Sequence, residues 1–409
     1  MAIIRPFKAL RPRWDLASKI AALPYDVYSE EEARKAVEGD GYSFLRIDRA
    51  ETQFPAGQDM YAKEVYEKAS SMIRDMESKG EFVNDGSPCF YVYELTMDGR
   101  VQTGLAACSA VDDYINGVIK KHENTRREKE EDRVRHVDTC NAQTGPIFLA
   151  YRGNDRINAL IEKNKKGVPD CDFTREGDIR HRVWTISDEA DIEALVKEFA
   201  ALDSTYIADG HHRAASAVRV SLMRREAHPD FTGEEEYNFF LSVLFPADQL
   251  KIMDYNRVVK TLNGSKPDEL LEKLEEKFEI NGTQDPRPRK KGEIGMYLNE
   301  KWYMLNVREE FVSDDPVQGL DVAYLQREVL SPVFGIDDPT TDTNIDFVGG
   351  IRGLKELERR CHEDCVCAFA MYPTDILELF SVADAHLLMP PKSTWFEPKL
   401  LSGLFIHKI

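Results

Sequence analysis

The chain can be organised around the stretch Thr205-Tyr-Ile-Ala-Asp-Gly-His-His-Arg-Ala-Ala-Ser-Ala217. An apolar run of strand character ends in an Asp-Gly turn, and a helix of small residues opens directly from it, the order expected of an α/β unit. Gly210 lets the backbone approach a ligand with no β-carbon in the way, and the first N–H groups of a helix starting near His211 have no acceptor inside the helix. Such a turn suits an anion. Arg213 adds a cationic fork, and His211 and His212 point in different directions, so at least one can face the pocket as donor, base or ligand. An ordinary helix start with surface histidines has the same outline. Asp209, His211, His212 and Arg213 crowded beside the apolar Ile207, Ala214, Ala215 and Ala217 favour a site. An arginine beside a helix start near solvent adds little to folding, so Arg213 is expected to serve a ligand rather than stability.

Around this box the chain alternates helix and strand. Ser29 and Glu32 have capping-box spacing, which accounts for Glu30 to Glu32 as first-turn carboxylates and leaves Asp26, behind Pro24-Tyr25, the less explained acid. Residues 43–48 read as a strand, and 58–79 as an amphipathic helix with Tyr61, Val65, Ala69, Met72 and Met76 inward. The runs 89–97 and 102–111, joined through Asp98-Gly99, read as a hairpin. Residues 251–255 read as a strand ended by Asn256-Arg257, and 262–293, polar, with one helix over 267–278 and rich in Gly, Pro and basic residues toward its end, as a linker. Strands and helices at 293–371 make a second α/β set, and the proline-rich tail 389–399 excludes an interior strand or helix.

The 409 residues carry 54 basic and 73 acidic side chains, a net charge of −19 that opposes nonspecific attraction to nucleic acid or an anionic membrane surface. No apolar run approaches the ~20 residues that span a bilayer. The N-terminus lacks a signal-peptide pattern, and seven cysteines without framework spacing point to a reducing cytoplasm. Cys361, Cys365 and Cys367 read as small core residues rather than zinc ligands. Small-molecule partners remain the better fit, with the oligomeric state open.

A second constellation is His122-Glu-Asn-Thr-Arg-Arg127. Its carboxylate and amide oxygen, Glu123 and Asn124, are suitable hard ligands for Mg²⁺, and Arg126 or Arg127 can neutralise phosphate oxygens. One helical turn would bring Glu123 and Arg127 to one face. Near the C-terminus, Lys392-Ser-Thr394 lacks the glycines of a P-loop, and either clamps the core or lines the pocket.

The box resembles the Gly-x-x-Arg phosphate box of the ParB and sulfiredoxin superfamily, held here by Gly210 and Arg213, and most of all its Asp-Gly-His-His-Arg form in free serine kinases. The sulfiredoxin cysteine is replaced by His211, which removes the nucleophile of that chemistry. Glu123, Asn124 and Arg127 resemble the Glu-Asn-x-x-Arg motif of ParB nucleotidases, although here it precedes the box. Pro-Tyr-Asp-Val, His-Glu-Asn-Thr, Ala-Asp-Gly-His-His-Arg, Asn-Arg-Val-Val and Met-Pro-Pro-Lys-Ser-Thr-Trp-Phe-Glu-Pro-Lys together resemble one bacterial family of unknown function along essentially the whole chain.

These resemblances imply a mixed α/β fold with a ParB/sulfiredoxin-like phosphate-binding core in residues 1–261, a linker at 262–293 and a further α/β module at 294–409 whose tail packs back on the core. They imply a small-molecule kinase that moves a phosphoryl group from ATP, ADP or pyrophosphate to the hydroxyl of a free amino acid such as L-serine. Gly210, Arg213, Arg126, Arg127 and Lys392 would hold the donor, Glu123 and Asn124 the Mg²⁺, and Asp209, His211, His212 and Glu123 would act in catalysis. Asp26 and Glu30 remain candidates for the general base. A ParB-like nucleotide-gated switch, or a metal-dependent phosphohydrolase with His122, His211 and His212 as ligands, are the rival readings.

Overall fold

The structure, a computed structural model, describes residues 1–409 apart from the side chain of Glu176. Two units divide the chain: Met1–Lys120, Thr125–Leu250 and Pro398–Ile409 make the first, and Lys121–Asn124 with Lys251–Glu397 the second.

In the first unit the strands are β1 (Ile4–Arg5), β2 (Phe90–Met97), β3 (Arg100–Ala110), β4 (Ile119–Lys120), β5 (Ile147–Tyr151), β6 (Cys171–Arg175), β7 (Ile179–Ile186), β8 (Thr205–Asp209) and β9 (Phe239–Pro246). They form one mixed sheet in the order β4-β8-β5-β9-β3-β2-β7-β6, with β1 pairing β3. The hairpin of β2 and β3 turns at Asp98 and Gly99, both with positive φ, the conformation whose twist matches that of the strands it joins. Alternate residues Phe90, Val92, Leu105, Ala107, Leu149, Ile207 and Leu244 share one face and one core cluster. That face is covered by α-helices whose apolar stripes match it.

The helices of this unit are α1 (Glu30–Val37), α2 (Lys63–Ser78), α3 (Arg127–Cys140), α4 (Asp155–Asn164), α5 (Glu189–Ala200) and α6 (His211–Ala227). Ile157 and Ile161 of α4, Leu195 and Phe199 of α5, and Ala214, Ala217 and Val218 of α6 join the sheet's core cluster. Ser29 caps α1 in the expected box with Glu32. α2 buries Val65, Ala69, Met72 and Met76 as its periodicity requires, but begins at Lys63, so Tyr61 lies before it. Residues 43–48, expected as a strand, instead carry a short helix, Leu45–Asp48. Phe44, Leu45 and Ile47 are all buried there in a cluster with α2.

In the second unit the strands β10 (Tyr255–Val259), β11 (Phe278–Gly282), β12 (Glu293–Leu298), β13 (Lys301–Val307), β14 (Ile345–Gly349) and β15 (Cys367–Ala370) form an antiparallel sheet in the order β11-β13-β12-β15-β10-β14. Helices α7 (Pro267–Glu275), α8 (Asp321–Leu325), α9 (Leu354–Glu363) and α10 (Ile376–Asp384) accompany it. The stretch 262–293 holds the expected helix, α7, but also the edge strand β11, and the division between units falls instead between Leu250 and Lys251. An edge strand pairs on one side only, so Glu279 and Asn281 can face water while Phe278 is buried, and the polar composition follows. Asn256 and Arg257, expected to end a strand, lie inside β10. Cys365 and Cys367 are buried, as expected of core cysteines.

The last residues, Pro398–Ile409, belong to the first unit. Leu404, Phe405 and Ile406 are fully buried, and His407–Lys408 pairs with Ala142–Gln143. Trp395 and Phe396 instead pair with Ile252 and Met253 in the second unit.

Candidate functional site

β8 runs between β4 and β5, and its pairing with β5 shifts between Ile207 and Asp209, which turns the Asp209 carboxyl out of the ladder at the strand's end. Gly210 follows at φ 93° and ψ 33°, a left-handed conformation that starts α6 at His211. Arg213 curls back over this glycine. Its guanidinium donates to the Pro146 carbonyl and, at 3.1 Å, to Asp209 Oδ2. Lys399 Nζ lies 3.6 Å from the other Asp209 oxygen. The arginine side chain is 11% exposed, so the expectation of a solvent-facing residue with no share in folding is corrected: α6 needs it to close the turn onto the Pro146 loop.

The start of α6 has a neighbour. Arg126, the N-cap residue of α3, donates its backbone N–H to His212 Nε2 at 3.0 Å. Further along, Arg219 approaches Glu130 and Arg224 approaches Asp138, so α3 and α6 run side by side in the same direction. Both positive helix ends thus lie together, and their partial charges add toward one region. His212 accepts at Nε2 and so carries its proton, when neutral, on Nδ1. His211 is buried and Arg126 exposed. Arg127 is 89% exposed and pairs with Glu131 at 3.0 Å. Because α3 begins only at Arg127, Glu123 and Arg127 are not one helical turn apart, and that expectation is corrected.

Behind Arg213 the first unit holds a polar interior assembled from segments far apart in the chain. Arg133 pairs with Asp132 at 2.9 Å, both almost fully buried, and Tyr66 donates to the same aspartate at 2.9 Å. The Arg133 guanidinium lies 4.0 Å above the Tyr25 ring. Thr144 donates to Asp48 at 2.9 Å. Burial pushes the His136 imidazole down to about 4.

Glu123, Asn124 and Lys392 belong to the second unit. Segment 121–124 is non-helical there; His122 Nε2 lies 3.2 Å from Thr394 Oγ1, and the Met389 N–H donates to the His122 carbonyl at 2.8 Å. Glu123 and Asn124 offer one carboxylate and one amide oxygen, a donor set that fits a hard cation such as Mg²⁺. The tail therefore acts as a clamp within this unit. Arg257, which sequence reasoning passed over, is 3% exposed and donates to the carbonyls of Tyr255 and, at 3.0 Å, Lys392. Burial pushes it down to about 10. Its place in a central strand was the available signal, since arginine is rare there without a partner.

No protein of curated function matches the chain. Among solved structures it is similar to a free serine kinase in complex with AMP, at 15% identity and TM-score 0.36, covering 72% of this chain and 86% of that one. It is similar to SbnI with a C-terminal truncation from Staphylococcus aureus, at 12% identity and TM-score 0.39, covering 72% and 85%. A conserved hypothetical protein from Pyrococcus furiosus is 14% identical with TM-score 0.33, covering 73% and 94%. Among the described residues no helix is long and apolar enough to cross a membrane. Residues 4–323 match the family described as a protein of unknown function (DUF1015), and the chain belongs to that family.

Proposed function

We propose that this protein is a phosphotransferase that moves a phosphoryl group from a nucleotide or pyrophosphate, with Mg²⁺, to the hydroxyl of a free amino acid, L-serine first. The observation that carries the reading is the Arg126 N–H to His212 Nε2 bond, which sets the starts of α3 and α6 side by side next to Arg213. Phosphoryl transfer asks mainly for positioning and for neutralisation of spreading negative charge. Two adjacent helix starts with a fixed guanidinium supply both without reorganising during reaction. Arg126, exposed at the mouth, can follow a donor phosphate.

The contacts also sort the proposed catalytic side chains. His212 Nε2 already accepts a backbone N–H, so protonating that nitrogen would break the bond that joins the helix starts; His212 is a positioning residue. Asp209 is held by Arg213 and Lys399, which makes it an anchor for the arginine. His211 or Asp209 remains to take the acceptor's proton, with Asp26 and Glu30 unassigned. Mg²⁺ would supply charge neutralisation at the donor phosphates.

Phosphorus NMR with L-serine, Mg²⁺ and ATP, ADP or pyrophosphate in parallel tests this. A phosphoserine resonance growing with loss of one donor supports it. Inorganic phosphate alone favours the phosphohydrolase reading, and no change in any mixture ends both.

A further inference from the structure

A small recess lies in the first unit behind the Gly210 turn, lined by Tyr25, Asp48, Arg133, Thr144, Arg213 and Ser402 among others. Tyr25 lines the recess at 7% exposure, with its ring under the Arg133 guanidinium. Burial raises the pKa of its hydroxyl, so it stays a neutral O–H donor, and both Arg133 and Arg213 are close enough to oppose the rise. A ligand that offers an acceptor there can take a hydrogen bond from it.

Two guanidiniums, Arg133 and Arg213, and one carboxylate, Asp48, line the recess. Asp48 is committed to the Thr144 hydroxyl, and Asp132 to Arg133 and Tyr66. Arg213 uses N–H groups on Pro146 and Asp209 and has others on the same guanidinium. His136 is held neutral by burial. Gly145 keeps the space open: a β-carbon there would lie 2.9 Å from Ser402 Oγ and 3.6 Å from an Arg213 nitrogen.

The recess has a volume of ≈ 30 Å³, on a measure in which one water needs roughly 10–15 Å³. Two or three heavy atoms fit, which admits a carboxylate.

We propose that this recess seats the carboxylate of the small amino acid acceptor, with the Tyr25 hydroxyl and the Arg213 guanidinium as its donors. The inference deepens the phosphotransferase reading and rests on it for the identity of the amino acid. Occupation of the recess would anchor the acceptor by its backbone end, leaving the side-chain hydroxyl to be presented elsewhere. A hydroxy compound without a carboxylate would then be a poor acceptor.

Calorimetry on the full chain without nucleotide, using L-serine, L-serinamide and acetate, tests this directly. L-serine and acetate should bind, L-serinamide at least tenfold more weakly than L-serine. Tyr25→Phe keeps the ring under Arg133 and removes only the hydroxyl, so it should leave the melting temperature unchanged and weaken L-serine and acetate tenfold or more. Equal affinity for L-serine and L-serinamide, unchanged binding in Tyr25→Phe, or no binding of either carboxylate by the wild-type chain would overturn the inference. The two readings fail separately: Tyr25-dependent carboxylate binding without phosphoryl transfer sinks the kinase alone, and phosphoserine formation with an unaltered KM for L-serine in Tyr25→Phe sinks the recess alone.

Discussion

Arg213 lies so close over Gly210 that a β-carbon added to the glycine would come within 3.0 Å of the guanidinium. The turn and the cation are thus one device: the left-handed residue makes room for the arginine, and the arginine pins the turn to Pro146 and Asp209.

Gly210→Ala should therefore act twice. A left-handed alanine costs about 1–2 kcal/mol, and the added methyl pushes the guanidinium off Asp209. The expected result is a lower melting temperature together with weaker phosphate-ligand binding. A loss of stability with full ligand affinity would separate the turn from the proposed donor site.

Arg213→Ala should lower turnover on the order of 10²-fold if the arginine neutralises charge in transfer. It should also destabilise the fold by about 1–3 kcal/mol, because the Pro146 carbonyl loses its donor and Asp209 loses a cationic partner. Arg213→Lys should restore part of the stability and little of the turnover, since a point charge cannot reproduce the fork. Melting temperature and kcat measured on the same samples check both halves.

Acid should unfold the protein through its buried histidines. Burial pushes His136 down to about 4 and His181 to about 3, both below the ordinary value of 6.5. In the unfolded chain each takes up a proton as pH falls through about 6.5, while the folded chain resists. Stability is thus full above that pH and declines as pH falls toward 4, by on the order of 1.4 kcal/mol per pH unit for each histidine. Urea midpoints at intervals from pH 7 to 4.5 should fall steadily; a flat profile to pH 5 would contradict the burial of these rings.

Arg257→Ala should release the tail clamp. The change leaves the Tyr255 and Lys392 carbonyls without their donor and opens space inside β10, a loss of about 3 kcal/mol or more. Amide exchange in Met389–Glu397 should quicken well before exchange in β2 and β3. Unaltered protection of that segment would mean the arginine does not hold it.

Removing Pro398–Ile409 should abolish folding of the first unit, because Leu404, Phe405 and Ile406 are fully buried within it. A soluble truncated chain with a native melting transition would contradict this.

Local chemistry carried much of the outcome. The Asp98-Gly99 hairpin, the Ser29 cap, the apolar stripe of α2 and the strand-glycine-helix box each depend on residues a few positions apart, so their patterns are legible without knowledge of the rest. Where sequence separation grows, legibility ends. Residues 43–48 alternate well enough for a strand, yet burial against α2 made them helical; the polar stretch 262–293 hid an edge strand because one exposed face is all its composition records.

The candidate site divides in the same way. Gly210, Arg213 and the paired histidines were visible from their spacing, and with them a turn suited to an anion. That Arg213 would bond Pro146, that His212 would accept from Arg126, and that Tyr25, Arg133 and Ser402 would enclose one recess were decided only by the packing of segments far apart in sequence. The physical reason is that hydrogen bonds and charges act over a few ångströms. A sequence fixes which groups exist, while the tertiary fold chooses which of them lose their water and must satisfy one another.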